Sequence, residues 1–308
     1  MAMGFDEAML EDLRRFNHKL ARAPRFGYRN GWIPRIGQGL LRLSQIGADW
    51  RVRRLGLQVE RRIVEVDGVR VPVRVLRPAG PVRGVVLDIH GGGWVIGNPA
   101  MNDAFNAPMA RECGVMVVSV DYGLAPRTSI QTMMDQCLAV ARWVLEGDLP
   151  VIVVGESAGG QLAGATLLQL KRWPGLFERI AGAVFYYGVF DMAGSDSVRR
   201  AGADTLVLDG PAMLPGLRRL TPGLSEDERR TAPLSPLYGA LDGMPPALFY
   251  TGRRDPLRDD TLQMAQRWPH DAEVNDLPEA PHGFIHFKLK IGRAACAHTR
   301  AWISARLA

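Results

Sequence analysis

The sequence predicts an α/β fold built on a mainly parallel sheet of eight strands with an antiparallel N-terminal edge. Short apolar runs typical of buried strands recur along the chain and alternate with stretches of helical periodicity. A strong hairpin signal, Asp67-Gly68, lies near the start of this pattern. The 308 residues suffice for one large domain with a substantial core and an appendage.

The first 57 residues predict helices. Residues 5–22 and 35–50 repeat apolar positions at helical spacing. Four helix-breaking residues separate the two stretches: Pro24, Gly27, Gly31 and Pro34. We therefore expect residues 1–57 to lie outside the sheet domain, which covers residues 58–308.

Eight strands are predicted from residue 58 onwards. They cover residues 63–66, 69–76, 84–89, 115–120, 151–154, 183–187, 247–251 and 273–277. Helical patterns flank the sheet at 132–145, 158–171, 259–268 and 284–307. Residues 190–232 break the alternation, and Ser225 with Glu228 forms a capping box there. We expect this segment to be an insertion that lies over the sheet.

Composition and charge narrow the classes of function. The net charge is +6, but acidic residues are interspersed, and the basic runs at 51–54 and 61–62 lack interleaved aromatic residues, so we expect no nucleic-acid partner. No apolar run reaches about 18 residues, and we expect no membrane partner. Cys113, Cys137 and Cys296 are scattered, which fits a reducing compartment without a disulfide framework or metal site. The N-terminus has no apolar leader pattern, and the cytoplasm is the predicted location.

A Gly-Glu-Ser-Ala-Gly-Gly sequence at residues 155–160 joins a predicted strand to a predicted helix. This is the context of a nucleophile elbow, in which Gly155 and Gly159 leave room for Ser157 to project from a sharp turn. The alternative is a glycine turn with an N-capping serine.

A His-Gly-Gly-Gly-Trp sequence at residues 90–94 ends an earlier strand. Three successive glycines leave backbone N–H groups uncovered, so a developing oxyanion could approach them closely, with each donor stabilising the transition state by about 3 kcal/mol. The alternatives are a flexible loop or a phosphate cradle, but no G-x-x-x-x-G-K-[ST] sequence is present. We predict an oxyanion hole formed by this loop and the N–H of Ala158, where a helix begins.

A nucleophilic serine needs a base and an acid that orients it. His282 follows the last predicted strand, at the sheet edge where Ser157 should also lie. His286 is the alternative base, although we expect it inside the terminal helix. Asp255 follows the preceding strand and is the candidate acid, but an Asp before Pro also suits a helix N-cap. Asp259 and Asp260 compete for the role.

The order Ser157, Asp255, His282 is that of α/β-hydrolases. Three further motifs make the resemblance specific: V-D-Y-G-L-A-P at 120–126, S-P-L at 235–237 and D-P-L-R-D at 255–259. Over about residues 60–300, the sequence resembles the hormone-sensitive-lipase-like family of α/β-hydrolase carboxylesterases.

The resemblance implies a site and a cap. It implies Ser157 as nucleophile, His282 as base, Asp255 as its orienting acid, Gly92, Gly93 and Ala158 as oxyanion donors, and His90 and Gly91 as supports of the loop. It also implies that the N-terminal helices and the 190–232 insertion form a helical cap over the acyl and alcohol pockets. A homodimer is compatible with it.

Two residues depart from the family pattern V-D-Y-R-L-A-P-E. Gly123 replaces the usual Arg and Arg127 the usual Glu, so an ion pair could have been removed as a unit. This leaves the geometry of that loop open.

The function expected from these residues is hydrolysis of short to medium acyl or aryl esters through an acyl-enzyme, without metal or organic cofactor. Because the base must be neutral, activity should fall below about pH 6 to 7. Four aromatic residues are candidates for the substrate pocket: Trp94, Tyr187, Phe190 and Phe284. The alternatives are a non-catalytic small-molecule receptor on the same fold, and a hydrolase of lactones, carbamates or aryl amides.

Overall fold

A single sheet of eight strands forms the centre of the computed structural model, which describes residues 3–27, 32–269 and 271–308. The strands are β1 (Gln58–Val66), β2 (Val69–Arg77), β3 (Gly84–Ile89), β4 (Val115–Val120), β5 (Val151–Glu156), β6 (Ile180–Tyr186), β7 (Ala247–Arg254) and β8 (Ala272–Pro281). Their spatial order is β1-β2-β4-β3-β5-β6-β7-β8. The ladders on both sides of β2 are antiparallel and all the others are parallel, which confirms the predicted fold class.

Helices cover both faces of this sheet. They are α1 (Glu7–Leu20), α2 (Trp32–Ser44), α3 (Ala48–Arg53), α4 (Asp103–Cys113), α5 (Ile130–Leu145), α6 (Ala158–Leu170), α7 (Pro174–Phe177), α8 (Asp196–Arg200), α9 (Gly210–Leu220), α10 (Glu226–Arg229), α11 (Arg258–Arg267) and α12 (Lys290–Arg306). One apolar cluster packs α5, α6 and α11 against the sheet, and a second packs α4 and α12 against its other face. The central strands β3 and β5 are buried at every residue, as expected for strands covered on both faces.

The hairpin between β1 and β2 forms at the predicted turn. Asp67 and Gly68 both have positive φ, 50° and 78°, and Val66 pairs directly with Val69. Two central residues with positive φ suit a two-residue hairpin, because their twist matches that of the strands.

Two helical predictions differ from the structure. The predicted helix at 35–50 is two helices, because Gly47 with φ 76° ends the regular path between α2 and α3. The predicted helix at 284–307 begins later, at Lys290. A left-handed Gly283 and a short 3₁₀ turn, Phe284–His286, precede it.

The 190–232 insertion and the N-terminal segment meet in the structure. The backbone of Phe26 exchanges two hydrogen bonds with the insertion: its N–H donates to Val207 O at 2.6 Å, and its carbonyl accepts from Asp209 N at 2.9 Å. At the other end of the insertion, Ser225 and Glu228 form the predicted capping box at the start of α10.

The N-terminal helices are also tied to the sheet by a buried arginine. Arg74 on β2, only 3% exposed, pairs with Asp49 of α3 and Asp103 of α4 at 2.5 and 2.9 Å. Among the helices that the structure describes, none is long and apolar enough to cross a membrane.

Candidate active site

Ser157 lies in the sharp turn between β5 and α6. Its backbone has φ 52° and ψ −120°, a conformation that a non-glycine residue rarely adopts. The turn fits only because two neighbours lack a side chain. A Cβ on Gly155 would lie 2.5 Å from Gly159 O, and a Cβ on Gly159 would lie 2.0 Å from Ile89 O at the end of β3. The G-x-S-x-G spacing is therefore a steric requirement of this turn.

The structure brings together the three side chains predicted to form the catalytic triad. His282 Nε2 lies 3.0 Å from Ser157 Oγ, and its Nδ1 lies 2.8 Å from Asp255 Oδ2. The other carboxylate oxygen of Asp255 accepts a hydrogen bond from Leu257 N at 2.8 Å, which fixes the carboxylate plane. Asp255 and His282 are 2% and 6% exposed. The ring of Tyr187 packs against the imidazole with centroids 4.6 Å apart.

The competing acids have other partners. Asp260 is fully buried and accepts hydrogen bonds from the backbone N–H groups of Phe190 and Asp191 at 2.7 and 2.9 Å. Burial raises its pKa to about 7. Asp259 accepts from Ser197 N at 3.0 Å. Both carboxylates thus bind the inserted segment, whereas Asp255 alone of the three contacts His282.

The glycine loop at 91–93 lies directly beside the elbow. Gly92 and Gly93 have φ of 103° and 59°, and a Cβ on Gly92 would lie 2.0 Å from Ile96 O. The N–H of Gly91 donates to Glu156 Oε1 at 3.1 Å. Because this donor is already used, Gly91 can anchor the loop but cannot bind an oxyanion in the same arrangement.

His90 directly precedes the glycine loop and contacts its backbone. Its ring is fully buried, stacks on Tyr122 with centroids 4.3 Å apart, and places Nδ1 2.8 Å from Gly91 O. Burial lowers the pKa of His90 to about 4, so the ring is neutral and Nδ1 carries the proton donated to that carbonyl. The hydroxyl of Tyr122 donates to His90 O at 2.7 Å.

Glu156, the residue before Ser157, connects three segments of the site, a role that the sequence analysis missed. Besides the Gly91 N–H, its carboxylate accepts from Tyr187 OH at 3.2 Å and from His286 Nε2 at 2.6 Å. His286 therefore lies outside the terminal helix and acts as partner of this buried acid. An acidic residue between an apolar strand and the candidate serine was the only signal for it in the sequence.

In the Glu156–His286 pair, each charged group stabilises the charged form of the other. Burial alone would raise the pKa of Glu156, but the His286 imidazolium and the Gly91 N–H together lower it to about 2. Burial alone would lower the pKa of His286, yet the carboxylate raises it above its ordinary value of 6.5. The stability that the pair contributes is thus fully present between about pH 4.5 and 6.5, the ordinary pKa values for Glu and His. It is lost as the pH rises through the raised pKa of His286, or falls towards that of Glu156.

The four aromatic residues predicted to line the substrate pocket are all fully buried: Trp94, Tyr187, Phe190 and Phe284. Trp94 donates its indole N–H to Gln161 Oε1 at 3.1 Å, and Phe190 packs edge-on against Phe185. Their assignment to an open pocket therefore finds no support in their placement.

Of the two departures from the family pattern, Gly123 and Arg127, the structure explains only Gly123, and the explanation is steric. A Cβ on Gly123 would lie 2.2 Å from Thr128 Oγ1, and its N–H donates to Gln136 Oε1 at 2.7 Å. Thr128 thus occupies the space that a side chain at 123 would need. Arg127 is exposed, and nothing in the structure explains its replacement of an acid.

A cleft of about 1810 Å³ opens beside the continuation of the glycine loop. Its walls include Val95 and Asn98 from that loop, Gln38 from α2, Leu124, and Leu220 from α9. Residues of the N-terminal helices and of the 190–232 insertion thus face one common space.

Comparison with known proteins agrees with this architecture. A family model of the alpha/beta hydrolase fold matches residues 86–286. The chain is 34% identical over 260 residues to carboxylesterase NlhH of Mycobacterium tuberculosis, covering 79% of this chain and 81% of that protein. It is 30% identical over 238 residues to an esterase of Acinetobacter venetianus, covering 72% and 73%. The crystal structure of esterase LipW from Mycobacterium marinum superposes with a TM-score of 0.83 at 25% identity, covering 97% of each chain.

Fold and relatives define the protein as an α/β hydrolase and a carboxylesterase. The chain belongs to the hormone-sensitive-lipase-like family of these enzymes, as its sequence motifs predict.

The elbow geometry predicts that Gly159→Ala damages the protein. The new methyl group would meet the carbonyl of Ile89, which belongs to the central strand β3 and cannot move freely. We expect the free energy of unfolding, measured by urea denaturation, to fall by about 3 kcal/mol, and esterase activity to fall with it. Gly175→Ala in α7 is the matched control, because nothing lies within 4 Å of its Cβ position. Equal stability of the two variants would contradict the steric role of Gly159.

Proposed function

We propose that this carboxylesterase acts through an acyl-enzyme formed on Ser157. The observation that carries the proposal is the position of one imidazole, with Nε2 3.0 Å from the Ser157 hydroxyl and Nδ1 2.8 Å from the Asp255 carboxylate. A ring held in this way can accept a proton on one nitrogen while the other donates to the acid. The strained serine backbone directs the hydroxyl away from the sheet.

Acylation uses His282 first as base and then as acid. Its Nε2 takes the proton of Ser157 Oγ as that oxygen attacks the ester carbonyl carbon and forms a tetrahedral intermediate. The same proton then passes to the leaving alkoxide, the carbon–oxygen bond of the ester breaks, and the alcohol departs. Asp255 holds the Nδ1–H tautomer and stabilises the imidazolium between these steps.

The negative charge of the intermediate needs backbone donors next to Ser157. We assign this role to the N–H groups of Gly92, Gly93 and Ala158. Ala158 is the first residue of α6, where backbone N–H groups have no acceptor within the helix and the helix dipole favours an anion. Gly91 is excluded because its N–H donates to Glu156.

Deacylation repeats the same proton path with water. His282 removes a proton from water, the resulting hydroxide attacks the acyl carbon, and the tetrahedral intermediate collapses with return of the proton to Ser157 Oγ. The products are a carboxylic acid and an alcohol, and every proton that leaves an oxygen returns to one. No step requires a metal or an organic cofactor.

We further propose that the N-terminal helices and the 190–232 insertion form a cap over this site, and that short to medium acyl or aryl esters are the substrates. Two observations support the cap: the hydrogen bonds of Phe26 with the insertion, and the cleft that both segments share with residues 95–100, which follow the glycine loop. The relatives named as carboxylesterase and esterase support an ester substrate. The cytoplasm remains the proposed location, and a homodimer the proposed assembly.

We also infer that Glu156 and His286 position the catalytic segments relative to each other. Glu156 belongs to the elbow, its partner Gly91 begins the oxyanion loop, and its partner His286 follows the base His282 in the same loop. Its third partner, Tyr187, packs on the base itself. One carboxylate thus contacts every segment that must converge on the substrate carbonyl.

The mechanism predicts that Ser157→Ala lowers kcat/KM for p-nitrophenyl butyrate by at least about 10⁴-fold. Ser44→Ala, which removes an exposed hydroxyl on α2, should leave the rate unchanged. A fluorophosphonate should label the wild-type protein and the control but not Ser157→Ala. Undiminished turnover in Ser157→Ala would contradict the mechanism. Tight ester binding without turnover by the wild-type protein would favour a receptor instead.

The positioning role predicts that His286→Leu lowers kcat by about 10- to 100-fold with little change in KM. Without the imidazolium, the largest influence that lowers the pKa of Glu156 is lost, so this pKa rises from about 2. The acid at the elbow then protonates at higher pH, so the acid limb of the pH–rate profile should move to higher pH.

His298→Leu is the control for this experiment, because it removes a similar imidazole–carboxylate pair, His298–Glu273 at 3.1 Å, on α12 and β8. The control should keep the wild-type profile. His286→Gln, which keeps a hydrogen-bond donor but no charge, should recover part of kcat. An equal loss of activity in all three variants, without a shift of the acid limb, would show that the Glu156–His286 pair contributes only to general stability.

A further inference from the structure

Large exposed apolar side chains are concentrated in one N-terminal stretch of the chain. Six of the nine that the described residues expose belong to residues 40–63: Leu40, Leu43, Ile46, Trp50, Leu55 and Ile63. They are 45 to 72% exposed. Single exposed apolar residues are normal, but such a concentration indicates an interaction surface. We refer to these six residues and the arginines among them as the α2–α3 patch.

The orientation of α2 explains why this surface is apolar. Gln38 exchanges two hydrogen bonds with the backbone of Gly97, at 2.7 and 3.0 Å, and Gln45, seven residues on, accepts from Asn98 Nδ2 at 2.7 Å. Helical spacing places Leu40 and Leu43 on the side of α2 opposite Gln38, and Gln45 follows the end of the helix. In the described part of this element, residues 37–46, two polar side chains bind the protein while Leu40, Leu43 and Ile46 are exposed, which is unusual for a surface helix.

The net charge around these side chains is positive. Residues 40–63 contain six arginines and two acids. Both acids are already paired, Asp49 with Arg74 and Arg61, and Glu60 with Arg62. The Arg54 guanidinium lies 4.3 Å from the centre of the exposed Trp50 ring. The patch thus combines apolar side chains with an excess of exposed arginines.

We propose that the α2–α3 patch docks on an anionic lipid surface. Apolar side chains on a short helical element enter the boundary between headgroups and acyl chains, while the surrounding arginines pair with lipid phosphates. A tryptophan beside an arginine suits this boundary, since its ring is apolar and its edge is polar. The contact is peripheral and needs no spanning helix. It replaces, for this surface, the sequence-based expectation of no membrane partner.

A second copy of the chain fits the patch less well. In a two-fold interface the same surface meets itself, so the arginine cluster of one copy would face that of the other. An anionic surface removes this repulsion. Docking would also bring the far side of α2, which binds Gly97 next to the oxyanion loop, within about 10 Å of the lipid, the diameter of one helix. The advantage of this position for lipid-borne esters rests on the proposed function.

Sedimentation of the full chain with vesicles tests the proposal. We expect the protein to bind phosphatidylcholine vesicles that contain phosphatidylglycerol, to bind pure phosphatidylcholine weakly, and to dissociate at high salt. The double variants Leu40→Gln/Leu43→Gln and Arg53→Gln/Arg54→Gln should each weaken binding by at least about tenfold.

Two controls match these variants. Leu224→Gln removes an exposed leucine in the insertion, and Arg172→Gln removes an arginine that lies over Trp173 at 5.0 Å, as Arg54 lies over Trp50. Both should bind like wild type, and all variants should keep the far-UV spectrum. Vesicle binding is measured without an ester, so failure of the esterase mechanism would not affect the outcome. Absence of vesicle binding by the wild type, or equal binding by all variants, would overturn the proposal. Light scattering that shows a dimer dissociated by Leu40→Gln/Leu43→Gln would overturn it in favour of a second copy.

Discussion

The close approach of the β5–α6 turn to the end of β3 is the constraint on which the site depends. A Cβ on Gly159 would lie 2.0 Å from the Ile89 carbonyl oxygen, so only glycine permits this approach, and Ser157 precedes α6 with a positive φ of 52°. The serine backbone is fixed further by β6, since Ser157 N donates to Tyr186 O at 2.9 Å. Because β3 and β5 are adjacent in the sheet, the glycine loop that leaves β3 lies beside the serine that leaves β5. The proposed oxyanion donors and nucleophile are thus neighbours by topology.

A second layer of contacts converts this topology into a defined geometry. The loops after β7 and β8 bring Asp255 and His282 to the same edge, but loops at a sheet edge need fixing if they are to hold atoms at 3 Å. For the loop after β8 and for the oxyanion loop, the buried Glu156 supplies this through charge-assisted hydrogen bonds to the partly exposed His286 and to Gly91. The same carboxylate makes the site dependent on pH, because the ion pair exists only while His286 is protonated and Glu156 is ionised.

Local sequence patterns predict the central strands and the elbow better than they predict the contacts that hold the active-site loops in place. Strand 84–89 and the start of α6 at Ala158 agree with the structure, because a buried apolar run and a glycine turn are local signals. The helix α4 was not predicted: its buried residues include Asn106 and its interior contains Pro108, so the apolar period is weak. The Glu156–His286 pair joins residues 130 positions apart, and only the sheet order brings them together. Fully buried aromatic rings at strand ends resembled pocket residues because sequence does not distinguish core from cleft.

A crystal structure of the protein inhibited by a p-nitrophenyl alkylphosphonate tests the central claim most directly, because the phosphonyl group imitates the tetrahedral intermediate. The mechanism predicts a covalent bond from phosphorus to Ser157 Oγ and a phosphonyl oxygen about 2.7 to 3.1 Å from the N–H groups of Gly92, Gly93 and Ala158. His282 Nε2 should lie within hydrogen-bond distance of the serine or leaving-group oxygen. Attachment to another residue, or an oxygen directed away from the glycine loop, would contradict it.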